Sequence, residues 1–110
     1  MNKYKHPNQF HDGVRVYKIV QKSLKDEGLM GKVDFEERII YVDPGQDHLE
    51  YRKTLLHEII HIGYDYFGLD NDDNMPTITN EYITTVTTNM MQQYWFFNMD
   101  LFEFIFSYPK

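Results

Sequence analysis

The pentapeptide His57-Glu58-Ile59-Ile60-His61 lies near the middle of the 110-residue chain and decides its predicted fold. Residues four positions apart share a face of an α-helix, so both imidazole rings can reach one metal ion. Glu58 lies between them on the adjoining edge, where a carboxylate can act as a general base. The alternative is a core helix that happens to carry two histidines. The flanking sequence favours the metal site.

Apolar residues surround the pentapeptide on both sides. Thr54-Leu55-Leu56 precedes it and Ile62 follows it, and the two isoleucines inside it widen the same apolar stripe. Such a stripe predicts a helix that is buried over most of its surface. A histidine that faces inward needs a partner, and a metal ion supplies one partner to both rings.

The ends of this helix carry recognisable signals. Asp47 is a suitable N-cap, and Glu50 follows three residues later as in a capping box. Gly68 is a suitable stop signal. We therefore predict a helix from about residue 47 to 67.

A catalytic zinc site has three protein ligands and one open position. The metzincin pattern requires a glycine three residues after the second histidine and another histidine three residues further on. Tyr64 and Phe67 occupy those two positions, and no histidine follows His61. A three-histidine site built downstream is therefore excluded, which leaves a glutamate on the next helix as the other option.

The pair Asn80-Glu81 lies twenty residues after His61. This spacing resembles the thermolysin-like arrangement, in which an Asn-Glu pair supplies the third ligand. The resemblance implies a set of two histidines and one glutamate, His57, His61 and Glu81. The alternative for Glu81 is a solvated glutamate at a helix start, favoured there by the helix dipole.

One position departs from that arrangement. Thermolysin-like enzymes carry an aspartate four residues after the glutamate, which orients a histidine, and this chain has Thr85 there. A partner that fixes each imidazole is still required. Asp65, one turn beyond His61, or a backbone carbonyl can serve, although Asp65 can equally be a plain surface charge.

Size and composition limit the classes of function. The length fits a single domain over residues 1–110. The net charge of −6 and the pI near 5.2 argue against nucleic-acid binding, which needs a basic surface. The chain has no cysteine, no apolar leader and no apolar run of membrane-spanning length. We therefore expect a cytoplasmic protein that binds neither nucleic acid nor a membrane.

The segments before the pentapeptide predict one helix and a hairpin. Val16, Ile19, Val20 and Leu24 share one face of a helix predicted from Asp12 to Glu27, with Gly28 as its end. Residues 33–35 and 38–42 are predicted as two short strands of a hairpin.

Two segments after the pentapeptide are also predicted as helices. Within residues 77–97 the stretch from Glu81 to Thr88 is rich in β-branched side chains, which suit a strand, but apolar residues recur every four positions, which favours a helix. The aromatic segment from Tyr94 to Tyr108 predicts a last helix that closes a small core. The alternative is an exposed patch for a partner or for a homodimer.

The order of these elements resembles the minimal zincin core. A Leu-Leu-His-Glu-Ile-Ile-His helix follows an Ile-Ile-Tyr-Val strand and precedes a glutamate-bearing helix. Over roughly residues 12–105 the chain is similar to ImmA/IrrE-type metallopeptidases and to neutral zinc metallopeptidase-like proteins of phages and prophages. Residues 57, 58, 61 and 81 match their plan, which implies Zn²⁺ as cofactor and cleavage of a regulator. No helix-turn-helix is recognisable.

The expected fold class is α+β, a minimal zincin-like domain, mostly helical, with a short β-hairpin or small sheet packed on the motif helix. The expected function is a zinc-dependent metallopeptidase that acts on a protein or peptide, with Glu58 as general base. The alternative is a non-catalytic zincin-fold binding module with a residual or structural zinc site.

Two features of the mechanism stay open in the sequence. The segment Arg38–Val42 is either an edge strand that pairs with an extended substrate or an ordinary interior strand. The group that stabilises the oxyanion is not identified, and each candidate is also a common packing residue. These candidates are Tyr64, Tyr66, His6, His11 and His48.

Overall fold

Four strands precede three helices in the chain. A computed structural model describes residues 6–68 and 80–107, with side chains in the second range from residue 82 onward. The strands are β1 (Gln9–His11), β2 (Val16–Gln21), β3 (Gly31–Asp34) and β4 (Ile39–Val42). The helices are α1 (His48–Tyr66), α2 (Asn80–Phe97) and α3 (Met99–Phe106). The predicted α+β class is therefore confirmed.

The strands form one mixed sheet in the order β1-β2-β4-β3. β1 pairs antiparallel with β2, β2 pairs parallel with β4, and β3 pairs antiparallel with β4. The predicted hairpin before the motif helix is confirmed as β3 and β4. It joins β2 through the parallel pair Ile19 and Ile40.

The core lies between one face of the sheet and the helices. Successive residues of a strand point to opposite faces, so every second residue contributes to this core. The sheet supplies Phe10, Tyr17, Ile19, Ile40 and Val42. The helices supply Tyr51, Leu55, Ile59, Ile62, Met90, Tyr94, Leu101, Phe102, Phe104 and Ile105.

The prediction of a helix from Asp12 to Glu27 is wrong. This segment contains β2 and a single 3₁₀ turn at Lys25–Glu27, which Gly28 ends in the left-handed conformation. The apolar spacing fits a helix, but Tyr17 and Ile19 alternate with exposed residues, as in a strand with one buried face. Burial of the fully enclosed Tyr17 ring in the core outweighs the weak local helical preference.

The segment Arg38–Val42 is not an edge strand. β4 lies between β2 and β3, so the alternative of an ordinary interior strand is correct. The edge beside the motif helix belongs to β3 instead, because β3 contacts α1 and, among the described strands, has a neighbour on one side only.

The two predicted long helices are confirmed where the structure describes them. α1 begins after Asp47, whose carboxylate accepts a hydrogen bond from the N–H of Glu50 at 2.9 Å. The predicted start of the second helix at residues 77–79 lies outside the described residues, and α2 runs from Asn80 to Phe97. Neither helix, nor any other in the described ranges, is apolar enough over a sufficient length to span a bilayer.

The aromatic tail divides between core and surface. α3 buries Leu101, Phe102, Phe104 and Ile105, as a helix that closes the core must. Phe96 at the end of α2 is 77% exposed, and Phe106 is 59% exposed. The prediction of a core-closing helix is therefore confirmed, and part of the segment also faces solvent.

The side chain of Asn98, between α2 and α3, closes the outer edge of β1. The N–H of His11 donates to Asn98 Oδ1 at 2.7 Å, and Asn98 Nδ2 donates to the carbonyl of His11 at 2.6 Å. Asn98 Nδ2 also donates to the carbonyl of Tyr94 at 2.9 Å. The Asn98 amide thus satisfies the backbone groups of His11 that a further strand would otherwise pair with. It also links the C-terminal helices to the sheet.

We predict that Asn98→Ala lowers the free energy of unfolding by roughly 2–3 kcal/mol, at about 1 kcal/mol for each of three hydrogen bonds. Asn98→Asp should cost at least as much, since it sets a carboxylate oxygen against the carbonyl of His11. Urea denaturation measures both. Gln92→Ala, at an exposed amide of α2, is the control and should change stability by less than about 0.5 kcal/mol. Equal effects of Asn98→Ala and the control on stability would contradict the proposed role of Asn98 in closing the outer edge of β1.

Candidate functional site

The two histidines of α1 meet at their outer nitrogens. Nε2 of His57 lies 3.0 Å from Nε2 of His61, and both side chains are exposed. Zinc–nitrogen distances of 2.0–2.1 Å in a tetrahedral site separate two ligand nitrogens by about 3.3 Å. A hydrogen bond between the rings needs about 3 Å as well. The distance between the two nitrogens is therefore compatible with either a metal ion or a proton shared by the two rings.

Glu58 is almost buried beside these exposed rings. Its side chain is 8% exposed, although it is an acidic residue of a small domain. Burial raises the pKa of the Glu58 carboxyl above its ordinary value, while positive charge on His57 or His61 acts in the opposite direction. A raised pKa brings a carboxyl closer to the range in which a general base both accepts and returns a proton.

The packing of α1 determines which of these side chains is buried. Leu55, Ile59 and Ile62 are completely buried against the sheet and the other helices. Because a helix turns by 100° per residue, this stripe directs the two histidines to the opposite side. Glu58, next to Ile59, falls on the margin of the buried stripe, where β3 covers it.

A cleft of about 250 Å³ opens in front of Glu58, between α1 and the start of β3. We call it the Glu58 cleft. It borders His57, the first histidine of the pair, and His61 is not among its lining residues. Its lining residues are Met30, Gly31, Glu50, Lys53, Thr54, His57 and Glu58.

The open edge of β3 borders the Glu58 cleft. The N–H of Asp43 donates to the carbonyl of Met30, so the hydrogen-bonded pairs of the hairpin fall at every second residue from Met30. The peptide groups of Gly31 and Val33 therefore point away from β4. Gly31 is also a lining residue of the cleft, so the outer edge of β3 and the cleft meet at this residue.

Glu81 lies in the first turn of α2, as the sequence predicts, but its side chain is outside the described residues. Among the residues that are described, no group of three His, Cys, Asp or Glu side chains is gathered as for a metal ion. α2 packs against α1 further along, where Met90 and Tyr94 lie over Gly63. The role of Glu81 as third ligand therefore stays a prediction.

The candidates for orienting a histidine or stabilising the oxyanion that follow the pentapeptide contact other residues. These candidates are Tyr64, Asp65 and Tyr66. Asp65 interacts electrostatically with Arg15 and Tyr17. The hydroxyl of Tyr64 is hydrogen-bonded to that of Thr87 at 3.1 Å. The ring of Tyr66 lies under the guanidinium of Arg15 at 5.6 Å. Neither tyrosine lines the Glu58 cleft.

Two of the three remaining histidines contribute to the packing of the N-terminal segment. Nε2 of His6 is 2.7 Å from the hydroxyl of Tyr51, and the ring also packs edge-on against Phe104. Nδ1 of His11 accepts a hydrogen bond from the N–H of Gly13. His48 is the first residue of α1. None of the three lines the Glu58 cleft.

Several lining residues of the cleft were not identified from the sequence. Glu50, Lys53 and Thr54 stand seven, four and three residues before His57, so helical spacing alone places them on its face. Gly31 is different, since only the fold of the hairpin brings it to α1. Lys53 is the one cationic side chain among the lining residues.

No family model, no curated protein and no solved structure matches this chain. The zincin resemblance therefore rests on the motif residues and their spacing. The structure shows the two histidine nitrogens 3.0 Å apart and Glu58 buried on the same helix.

We predict that Glu58→Gln raises the melting temperature of the metal-free protein at pH 8. Because burial raises the pKa of Glu58, the folded state binds more protons than the unfolded state above pH 4.5, and wild-type stability falls as pH rises through the raised pKa. Glutamine carries no charge and avoids this loss, so the difference should vanish below pH 4.5. Thermal melts in a chelator measure it.

Glu103→Gln, at an exposed glutamate of α3, is the control for this experiment. It should leave the melting temperature almost unchanged at both pH values, since an exposed surface charge contributes little to stability. A Glu58→Gln variant that melts below the wild type at pH 8 would contradict the burial of Glu58.

Proposed function

We propose that the domain, residues 1–110, is a zinc-dependent metallopeptidase. The observation that carries the proposal is the arrangement on α1: two histidine nitrogens 3.0 Å apart beside a carboxylate that is buried at the margin of the core. Burial of an acidic side chain costs free energy. The position of Glu58 at the margin of the core therefore supports a chemical role, such as that of a general base held beside a reacting water.

The donor set of the proposed site suits zinc. Two neutral imidazoles and one carboxylate with an open position form a typical catalytic zinc site. His57 and His61 would hold the ion together with Glu81. When bound, Zn²⁺ lowers the pKa of a coordinated water and polarises the carbonyl that is attacked.

The chain's own part in the reaction falls to Glu58. Its carboxylate takes a proton as water attacks the peptide carbonyl and then gives that proton to the leaving amine. Burial supports both steps, because it raises the pKa of the carboxyl and keeps the side chain in place. The second donor to the oxyanion is not assigned to a residue.

The proposed substrate is an extended segment of a protein or peptide. The outward peptide groups of Gly31 and Val33 offer it backbone hydrogen bonds, a mode in which the bound segment adds a strand to the sheet. The other edge of the sheet is closed at His11 by Asn98, which favours binding at β3. The Glu58 cleft, at about 250 Å³, is small and suits narrow specificity.

A regulatory or host protein in the cytoplasm is the proposed target, the host cytoplasm if the chain is phage-encoded. The acidic composition favours neither nucleic acid nor an anionic membrane as partner. A homodimer through the aromatic C-terminal segment also belongs to the proposal. It is supported by the exposure of Phe96, Phe97 and Phe106.

The second candidate is a non-catalytic zincin-fold binding module with a structural zinc site. It is favoured by the small cleft, by Thr85 in place of an orienting aspartate, and by the exposed aromatic side chains at the end of α2. Such a module would act by docking on a partner, and Glu58 would then be dispensable for function.

We predict one zinc ion per chain by native mass spectrometry, weakened or lost in His57→Ala and in Glu81→Ala. Each variant removes one of three ligands, and a two-ligand site holds zinc poorly. His48→Ala, at an exposed histidine of the same helix, is the control and should retain full occupancy. Absence of zinc in the wild type, with no stabilisation when zinc is added, would overturn the enzyme proposal.

We also predict that Glu58→Gln retains zinc but lowers peptide hydrolysis by roughly 10²- to 10⁴-fold, the usual contribution of a positioned acid–base group. The probe is an internally quenched hexapeptide selected from a random library for cleavage by the wild type. Retained biological function in Glu58→Gln, with zinc still bound, would favour the binding module instead.

A further inference from the structure

Gly31 lies where the sheet closely approaches α1. It is the first residue of β3 and lies directly over the third turn of the helix. A β-carbon at this position would lie 2.7 Å from Cγ2 of Thr54, 3.2 Å from Cγ of Glu58 and 3.3 Å from the carbonyl oxygen of Tyr41. The strand can therefore approach the helix this closely only because residue 31 has no side chain.

Two of these three neighbours are held in place. Thr54 is a β-branched residue with few rotamers in a helix, and its hydroxyl donates to Oε1 of Gln46 at 2.7 Å. The carbonyl of Tyr41 belongs to the backbone of β4, inside the sheet. Glu58 has the longest and most adaptable of the three groups. A side chain at residue 31 would therefore meet Thr54 first, at 2.7 Å, and, where Thr54 makes room, would press on Glu58 at 3.2 Å.

We propose that Gly31 is a positioning residue for Glu58, an inference that rests on the proposed peptidase function. The glycine lets the open edge of β3 lie against α1, so that the Cγ of Glu58 is confined beneath the strand and its carboxylate faces the cleft. The peptide group of Gly31 points outward at the same place. Gly31 thus determines both how closely the edge of β3, on which a substrate backbone would lie, approaches α1 and where Glu58 lies below that edge.

The nearest contact of the missing side chain offers a way to separate this role from plain packing. Thr54→Ser removes Cγ2, the atom that a β-carbon would meet at 2.7 Å, and keeps the hydroxyl that bonds to Gln46. The approach to Glu58 Cγ at 3.2 Å remains. The double variant Gly31→Ala/Thr54→Ser should therefore regain stability without regaining the position of Glu58.

The experiment compares Gly31→Ala, Thr54→Ser and the double variant with the wild type. Gly31→Ala should lower the melting temperature by roughly 5–10 °C through overpacking. The double variant should recover most of that loss and bind zinc as the wild type does. Its kcat on the quenched hexapeptide should still fall by about 10²-fold with little change in KM, the effect of a misplaced catalytic group. Thr54→Ser alone provides the reference kcat and melting temperature, since it alters the lining of the Glu58 cleft without adding a side chain at residue 31.

Gly45→Ala is the matched control for the substitution itself. Gly45 has no positive φ, and a β-carbon there would meet only the carboxylate of Asp43, at 3.1 Å. It lies in the turn before α1 and lines no part of the Glu58 cleft. This variant should match the wild type in melting temperature, zinc content and kcat.

A crystal structure of the double variant provides the readout that does not depend on activity. It should show the Glu58 side chain displaced by several tenths of an ångström, with β3 and α1 in place. An unmoved Glu58, or a kcat equal to that of Thr54→Ser, would overturn the role of Gly31 while leaving the peptidase proposal intact. A wild type that cleaves no library peptide would instead count against the peptidase, and the position of Glu58 would still decide the role of Gly31.

Discussion

The burial of one stripe of α1 against the sheet is the constraint on which the rest of the structure depends. Leu55, Ile59 and Ile62 have no exposed surface, so α1 cannot rotate about its axis without leaving large cavities in the core. The direction of every other side chain on α1 is then determined. The histidine pair faces solvent, and Glu58 lies where the helix passes under β3.

The two edges of the sheet differ in the hydrogen bonding of their outward peptide groups. This difference distinguishes the candidate site from the rest of the surface. At β1 the amide of Asn98 satisfies the outward peptide group of His11. At β3 the peptide groups of Gly31 and Val33 point outward, and no strand of the described residues pairs with them. An unprotected edge invites unwanted pairing and is usually blocked, so an edge left open beside a histidine pair supports a role in binding.

The sequence was most informative where the signals are local. The cap at Asp47, the stop near Gly68 and the hairpin before α1 depend on residues close together in the chain, and all were predicted within a few residues. The predicted helix from Asp12 to Glu27 failed because the inner face of the sheet, a long-range feature, decides the state of β2. The apposition of Gly31 and Glu58 was not predictable for the same reason, since it joins residues 27 positions apart through the hairpin.

Folding kinetics follow from the order of the strands. β3 and β4 are joined by a tight turn, so this hairpin can form within microseconds from local contacts alone. The parallel pair of β2 and β4 joins Lys18 to Ile39 and must close a longer loop, which is a slower event. Because β3 becomes an edge strand, it never has to be inserted between two others. Substitutions in β2 should therefore slow folding, while the hairpin that faces α1 assembles independently of them.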